Sequence, residues 1–214
     1  MDRITAVNKW SRLLRVVMYL LAAVGLIMVL RRTLVLEHVI PSVNPAGGPP
    51  FDGGFARHPF ITFLHILPGA LFMILGPMQF MPGIRRGNIV FYRRSRNIFI
   101  AVSYIVGISA LLMSFVISPI GGMNEAAASS FYAIYFLIAL SLAWRQMLKG
   151  REMLYREWMI RAFAIGLAIA TVRPIMALFF AFSGLPPQVF FGTAFWIGFT
   201  LHLIAAEIWI NYTR

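Results

Sequence analysis

The sequence predicts an all-α integral membrane protein, a bundle of about six transmembrane helices with both termini in the cytoplasm. Three observations predict it. The 214 residues are 60% hydrophobic and only 12% charged, whereas a soluble chain carries about a quarter charged residues because its surface must face water. Apolar runs near the ~20 residues that a helix needs to cross ~30 Å of hydrocarbon recur along the whole length. The net charge of +12 gathers at alternate connections between those runs. Barrel strands would be about half as long and would alternate in polarity, a pattern the sequence lacks.

The first run, Val16–Leu30, is bracketed by Arg12, Arg15, Arg31 and Arg32, whose long stems can snorkel and extend the span to about residues 12–32. No small-residue cleavage site follows it, so an uncleaved helix is expected rather than a signal peptide. Residues 33–58 form a flexible extracytoplasmic loop. Its second half holds nine Pro or Gly residues from Pro41 to Pro59 and is read as unable to form a regular helix. Backbone of that kind belongs in water or at the interface. The remaining spans fall at about 59–82, 97–118, 126–144, 159–182 and 189–210, all within a single membrane domain covering 1–214.

Orientation follows from the basic residues. Arg3, Lys9, Arg12 and Arg15 precede span one. Arg85, Arg86, Arg93, Arg94 and Arg96 lie between spans two and three. Arg145, Lys149, Arg151, Arg156 and Arg161 lie between spans four and five, and Arg214 follows span six. The opposite side has Arg31, Arg32 and Arg57. This asymmetry places both termini in the cytoplasm of a cell (inner) membrane. Charge arranged between apolar spans fits attraction to anionic lipid headgroups at the cytoplasmic face, not nucleic acid. Trp10, Trp144, Trp158 and Trp209 sit at cytoplasmic helix ends, as an aromatic belt would; Trp196 does not.

The chain has no cysteine, which excludes disulfides, thiolate metal sites and cysteine nucleophiles. Walker A, dinucleotide, HExxH and nucleophile-elbow patterns are missing. The functional leads are therefore ionisable groups inside spans, which lipid makes expensive. Arg173 lies about nine residues inside span five. Pro174 follows and deprives the Ala170 carbonyl of its helical donor. Arg173 is either a staple for that carbonyl or a neighbouring helix, or the seat of an anion. His65 and His202 are the histidines within the apolar spans and could ligate a haem or a metal, but their depths differ by about six residues, or ~9 Å. That stagger favours structural hydrogen bonding. Glu207 lies near the inner end of span six. In span two, His65, Phe72 and Gln79 recur every seven residues on one face, while Gly69 and Gly76 permit close packing. At the cytoplasmic face Gln79, Arg85, Tyr92, Arg93, Tyr155, Glu157 and Arg161 form a cluster, with Glu157 and Arg161 spaced to pair directly. The cluster is a solvated rim or a pocket for an anionic lipid or small anion.

Several stretches carry a resemblance: His65 to Phe80 with its Gly-Pro-Met-Gln-Phe end, Tyr92-Arg93, Tyr155-Arg-Glu-Trp158-Met-Ile-Arg161, and Thr171-Val-Arg173. Over roughly residues 58–182 the chain resembles domain of unknown function family 2306, multi-pass bacterial membrane proteins. The resemblance implies a helical membrane bundle and carries no activity. The family commonly has histidine where this chain has Tyr92 and Tyr155, which lowers the expectation of haem or metal chemistry. Three readings remain: a transporter or binder of a lipid, small molecule or anion; a haem-binding membrane oxidoreductase component; and a membrane scaffold or assembly protein.

Overall fold

A computed structural model of the chain describes residues 3–41, 52–81, 83 and 87–214. Its helices are α1 (Arg3–Leu36), α2 (Gly53–Arg57), α3 (Pro59–Gln79), α4 (Ile89–Val116), α5 (Gly122–Leu148), α6 (Glu152–Phe182) and α7 (Pro187–Thr213), with no strand among the described residues. Six of them, all but α2, are long and apolar enough to cross a membrane. The chain is thus a helical membrane bundle.

Local chemistry sets the helix ends. The Asn88 side chain accepts a hydrogen bond from the Phe91 N–H at 2.9 Å and caps α4. Pro59 and Pro187 open α3 and α7, where a missing N–H costs nothing. At the end of α5 the N–H of Gly150 reaches the Met147 carbonyl and that of Arg151 the Gln146 carbonyl, both at 3.0 Å. This paired closure needs the left-handed backbone that Gly150 supplies at φ +67°.

Three helices begin well before the expected spans: α1 at Arg3 rather than 12, α4 at Ile89 rather than 97, and α6 at Glu152 rather than 159, and α1 runs on to Leu36, into the expected loop. Charge-free runs mark only the stretch inside hydrocarbon, and a helix continues into the headgroup zone, where Arg and Glu are at home. The Gly/Pro-rich loop also contains a helical turn, α2, held by tertiary contacts rather than by propensity. The Thr62 hydroxyl lies 3.0 Å from the Phe55 carbonyl and 2.9 Å from that of His58, and Asp52 ahead of α2 is clamped to α1.

Contacts between elements define the architecture. The helix α1 packs on α3 and α6, α3 on α4, α4 on α5, and α5 on α6, closing a ring of five; α7 packs outside it against α6 and α5. Two ends result: a basic end, with the α3–α4 and α5–α6 connections, and a loop end, with α2 and the α4–α5 and α6–α7 turns. Outer faces carry exposed Leu20, Leu67, Ile108, Ile138, Leu178 and Leu201, the surface that lipid solvates and water would not. At mid-height four buried phenylalanines meet, Phe72, Phe99, Phe136 and Phe163, one from each of α3 to α6. Ring centroids lie 5.1 Å (Phe72–Phe99), 5.9 Å (Phe72–Phe136), 5.5 Å (Phe72–Phe163) and 6.2 Å (Phe99–Phe163) apart, the spacing at which aromatic pairs attract. Close approach is possible because Gly76 and Gly166 lie against the rings: a Cβ would stand 2.1 Å from Phe163 at the first and 2.3 Å from Phe72 at the second. Gly69, by contrast, faces open space. The helix α3 runs unbroken through Pro68 and Pro77.

Candidate functional site

Above the phenylalanine tier, towards the loop end, the ring helices together with α2 and part of α7 line an open cavity of about 710 Å³, a size that suits a drug-sized ligand (~300–1,000 Å³). Phe72 and Phe136 are its floor. Each ring helix has one cavity-lining residue at floor level and a polar one seven residues nearer the loop end: Gly25 and Arg32 on α1, Phe72 and His65 on α3, Gly107 and Ser114 on α4, Phe136 and Ser129 on α5, Gly166 and Arg173 on α6. Gly25 abuts Met73, Gly107 abuts Phe136, and Gly166 abuts Phe72, which fixes the common level. Seven residues are about two turns, or ~10.5 Å. The result is a polar collar over an aromatic floor, with apolar wall between.

The collar is electropositive and unevenly paired. Asp52, almost fully buried, receives Arg31 Nη1 at 3.2 Å, Arg31 Nη2 at 2.9 Å and Arg32 Nε at 3.0 Å. The Arg32 guanidinium also stacks on Phe55, 3.6 Å from the ring centroid, and its Nη1 is buried without a hydrogen-bond partner. Arg32 is a charged neighbour of both His65 and Arg173. Arg173 feels Arg31, Asp52 and Glu125 through space yet makes no hydrogen bond or ion pair among the described residues, so it does not staple the Ala170 carbonyl. Glu125 accepts from the Gly121 N–H at 2.7 Å.

The two histidines go separate ways. His65 Nδ1 lies 3.0 Å from the Ser109 hydroxyl, which in turn lies 2.6 Å from the Ile105 carbonyl and 3.0 Å from that of Val106. If Ser109 gives its one proton to a carbonyl, Nδ1 is the donor and Nε2 is left as an acceptor. His202 Nε2 meets the Thr171 hydroxyl at 2.7 Å and does not border the cavity. No group of three or more His, Cys, Asp or Glu residues able to hold a metal occurs among the described residues.

At the basic end the expected Glu157–Arg161 pair gives way to two bonds between helices. Arg161 holds Glu207 through Nε at 2.5 Å and Nη2 at 2.8 Å and lies over Trp158, 4.6 Å from the ring centroid. Arg214 holds the buried Glu157 through two contacts of 2.8 Å. The reason is geometric: a facing helix can present a carboxylate to both arms of a guanidinium, which neighbours one turn apart on one helix rarely achieve. Gln79 Nε2 lies 3.4 Å from Ser95 Oγ, and its Oε1 is buried without a partner. Tyr92 is buried, Arg93 exposed, and Tyr155 half-buried against the main core. Arg85 lies outside the described residues. Among the described members of the cluster read from sequence, Arg161 joins Glu207, Glu157 joins Arg214 and Gln79 reaches Ser95.

A family model described as predicted membrane protein (DUF2306) matches residues 62–210. The chain belongs to the DUF2306 family. Neither the comparison with curated proteins nor that with solved structures finds a significant match. Within the DUF2306 match lie His65, Ser114, Ser129 and Arg173 of the collar; Arg31, Arg32 and Asp52 precede it. Those three residues, with Glu125, are what sequence reasoning passed over. Arg31 and Arg32 were explained as snorkelling charges. The available signal was that Asp52 is the one acid between His38 and His58, opposite two adjacent arginines.

Proposed function

We propose that this DUF2306 protein binds a small amphipathic anion within the membrane, its charged head at the collar and its apolar body on the phenylalanine floor. One observation carries the reading: Arg173, without a hydrogen-bond or ion-pair partner among the described residues, stands on the wall of a cavity large enough for a ligand. An arginine at depth costs roughly 2.5–3.5 kcal/mol on insertion scales, and an anion would offset that cost through charge-assisted hydrogen bonds. Arg32 borders the same cavity and adds positive charge beside that anion. The floor, walled by apolar side chains, suits a hydrocarbon or aromatic body. The basic asymmetry supports a cytoplasmic basic end in an inner membrane, where Arg93, Arg145 and Arg151 meet anionic headgroups, and a cavity facing the extracytoplasmic side. The ion pairs joining α6 to α7 are structural in this reading.

The test uses decanoate and its uncharged counterpart decanol with the purified protein in phosphatidylcholine nanodiscs. Decanoate is expected to raise the Tm of the wild type, by mass action on the folded state, well beyond decanol, and Arg173→Gln is expected to erase the difference while folding normally. Equal responses to the two probes, or an unaltered decanoate response in Arg173→Gln, would refute the reading.

A further inference from the structure

Two guanidinium groups, Arg31 and Arg32, hold one carboxylate, Asp52, at the loop-end side of the cavity, and a third, Arg173, feels it through space. Asp52 is nearly inaccessible, with 1% of its side chain exposed, and it is carried by the short helix α2. That helix spans several walls. Its leading Asp52 is bonded to α1, its Phe55 carbonyl is bonded by Thr62 of α3, and Gly54 abuts Ile117 beside the α4–α5 turn. Gly53, Gly54, Phe55 and Arg57 all line the cavity. A carboxylate of the chain itself therefore fills a bidentate arginine seat on the wall of a cavity that Arg57 and Arg173 also line, Arg173 having no partner among the described residues.

We propose that Arg31 and Arg32 form an outer anion subsite in which Asp52 is the resident stand-in for the ligand's head. A singly charged head, a carboxylate or a phosphodiester, arriving from the loop end exchanges with Asp52 at Arg31 and Arg32 before passing inward to Arg173. The exchange loosens α2 from α1. This rests on the anion-binding reading above and adds the route and the latch. The chemistry is conservative: one carboxylate replaces another on the same donors, so net charge in the subsite is unchanged during the exchange, and the released Asp52 moves towards water with α2. Positive charge remains on Arg173 for the arriving anion to neutralise.

Decanoate affinity in nanodiscs is measured for the wild type and for Asp52→Asn. With its internal competitor neutralised, Asp52→Asn is expected to bind decanoate about tenfold more tightly, the scale of one charge-assisted hydrogen-bond pair. An affinity that is unchanged or lower in a folded Asp52→Asn, with Arg173-dependent binding intact in the wild type, overturns the outer subsite alone. No decanoate binding by the wild type overturns the reading beneath it. Removing Asp52 leaves two arginines unpaired, so a second measurement keeps Asp52 in place. The chain has no cysteine, and a Cβ at Gly53 would meet nothing within 4 Å. The thiol introduced by Gly53→Cys is expected to react severalfold faster with a membrane-impermeant maleimide when decanoate is present than with decanol. A rate indifferent to decanoate in a protein that binds it overturns the exchange, whatever becomes of Asp52→Asn.

Discussion

Arg161 shows how partner choice is decided among single residues. On its own helix it stands one turn from Glu157, and the spacing alone predicts that pair. In the folded protein its two nitrogens take both oxygens of Glu207 instead, while Glu157 is taken by Arg214. A double-mutant cycle on Arg161 and Glu207 is expected to give a coupling of about 1–2 kcal/mol in unfolding free energy, because the pair is bidentate but Glu207 is partly exposed. The same cycle on Arg161 and Glu157 should stay within about 0.5 kcal/mol; the reverse ranking would show that the helical neighbour is the true partner. The residues worth attention were legible in the sequence, since Arg173, His65, His202 and Glu207 each carry a cost in lipid. Their partners were not. Which side chain faces Arg161 depends on how α6 lies against α7, and hydropathy holds no information about that.

Helices were legible to a different depth. Their number and order follow from apolar runs, and the face of α3 bearing His65, Phe72 and Gln79 follows from its sevenfold spacing. All three contact α4, at Ser109, Phe99 and Ser95. The collar was hidden because the same spacing has to be matched on five helices that come together only in the fold. Gly166 shows what that matching demands. Its missing side chain leaves room for the Phe72 ring, which is itself wedged among Phe99, Phe136 and Phe163 and has nowhere to retreat. Gly166→Ala is expected to destabilise the bundle by about 1–3 kcal/mol, as overpacking does, read as a lower midpoint of unfolding in detergent titration. Gly69→Ala, at a position facing open space, is the control and should leave the midpoint near that of the wild type.

For the whole molecule, the division into a basic end and a loop end makes a topological prediction. Single-cysteine variants are clean because the chain has no cysteine. In intact cells an impermeant maleimide is expected to label Gln188→Cys, at the loop end, and to reach Lys149→Cys, at the basic end, only after the membrane is opened. The opposite pattern would turn the cavity towards the cytoplasm. Both positions are exposed in the structure, so labelling reports sidedness rather than burial. The two ends also differ in how they are held: ion pairs bind α6 to α7 at the basic end, whereas at the loop end they tie Asp52 to α1 and the ring helices stand around a space.

That space has a mechanical consequence. A packed interior resists compression, but a cavity of about 710 Å³ above a rigid aromatic tier concentrates compliance in one half of the bundle. Voids eliminated on unfolding are what make folded proteins yield to hydrostatic pressure. A ligand that fills the cavity removes part of that weakness. On the proposed anion-binding reading, occupancy would be coupled to volume as well as to charge, and a ligand at the collar would stiffen the loop-end half of the ring.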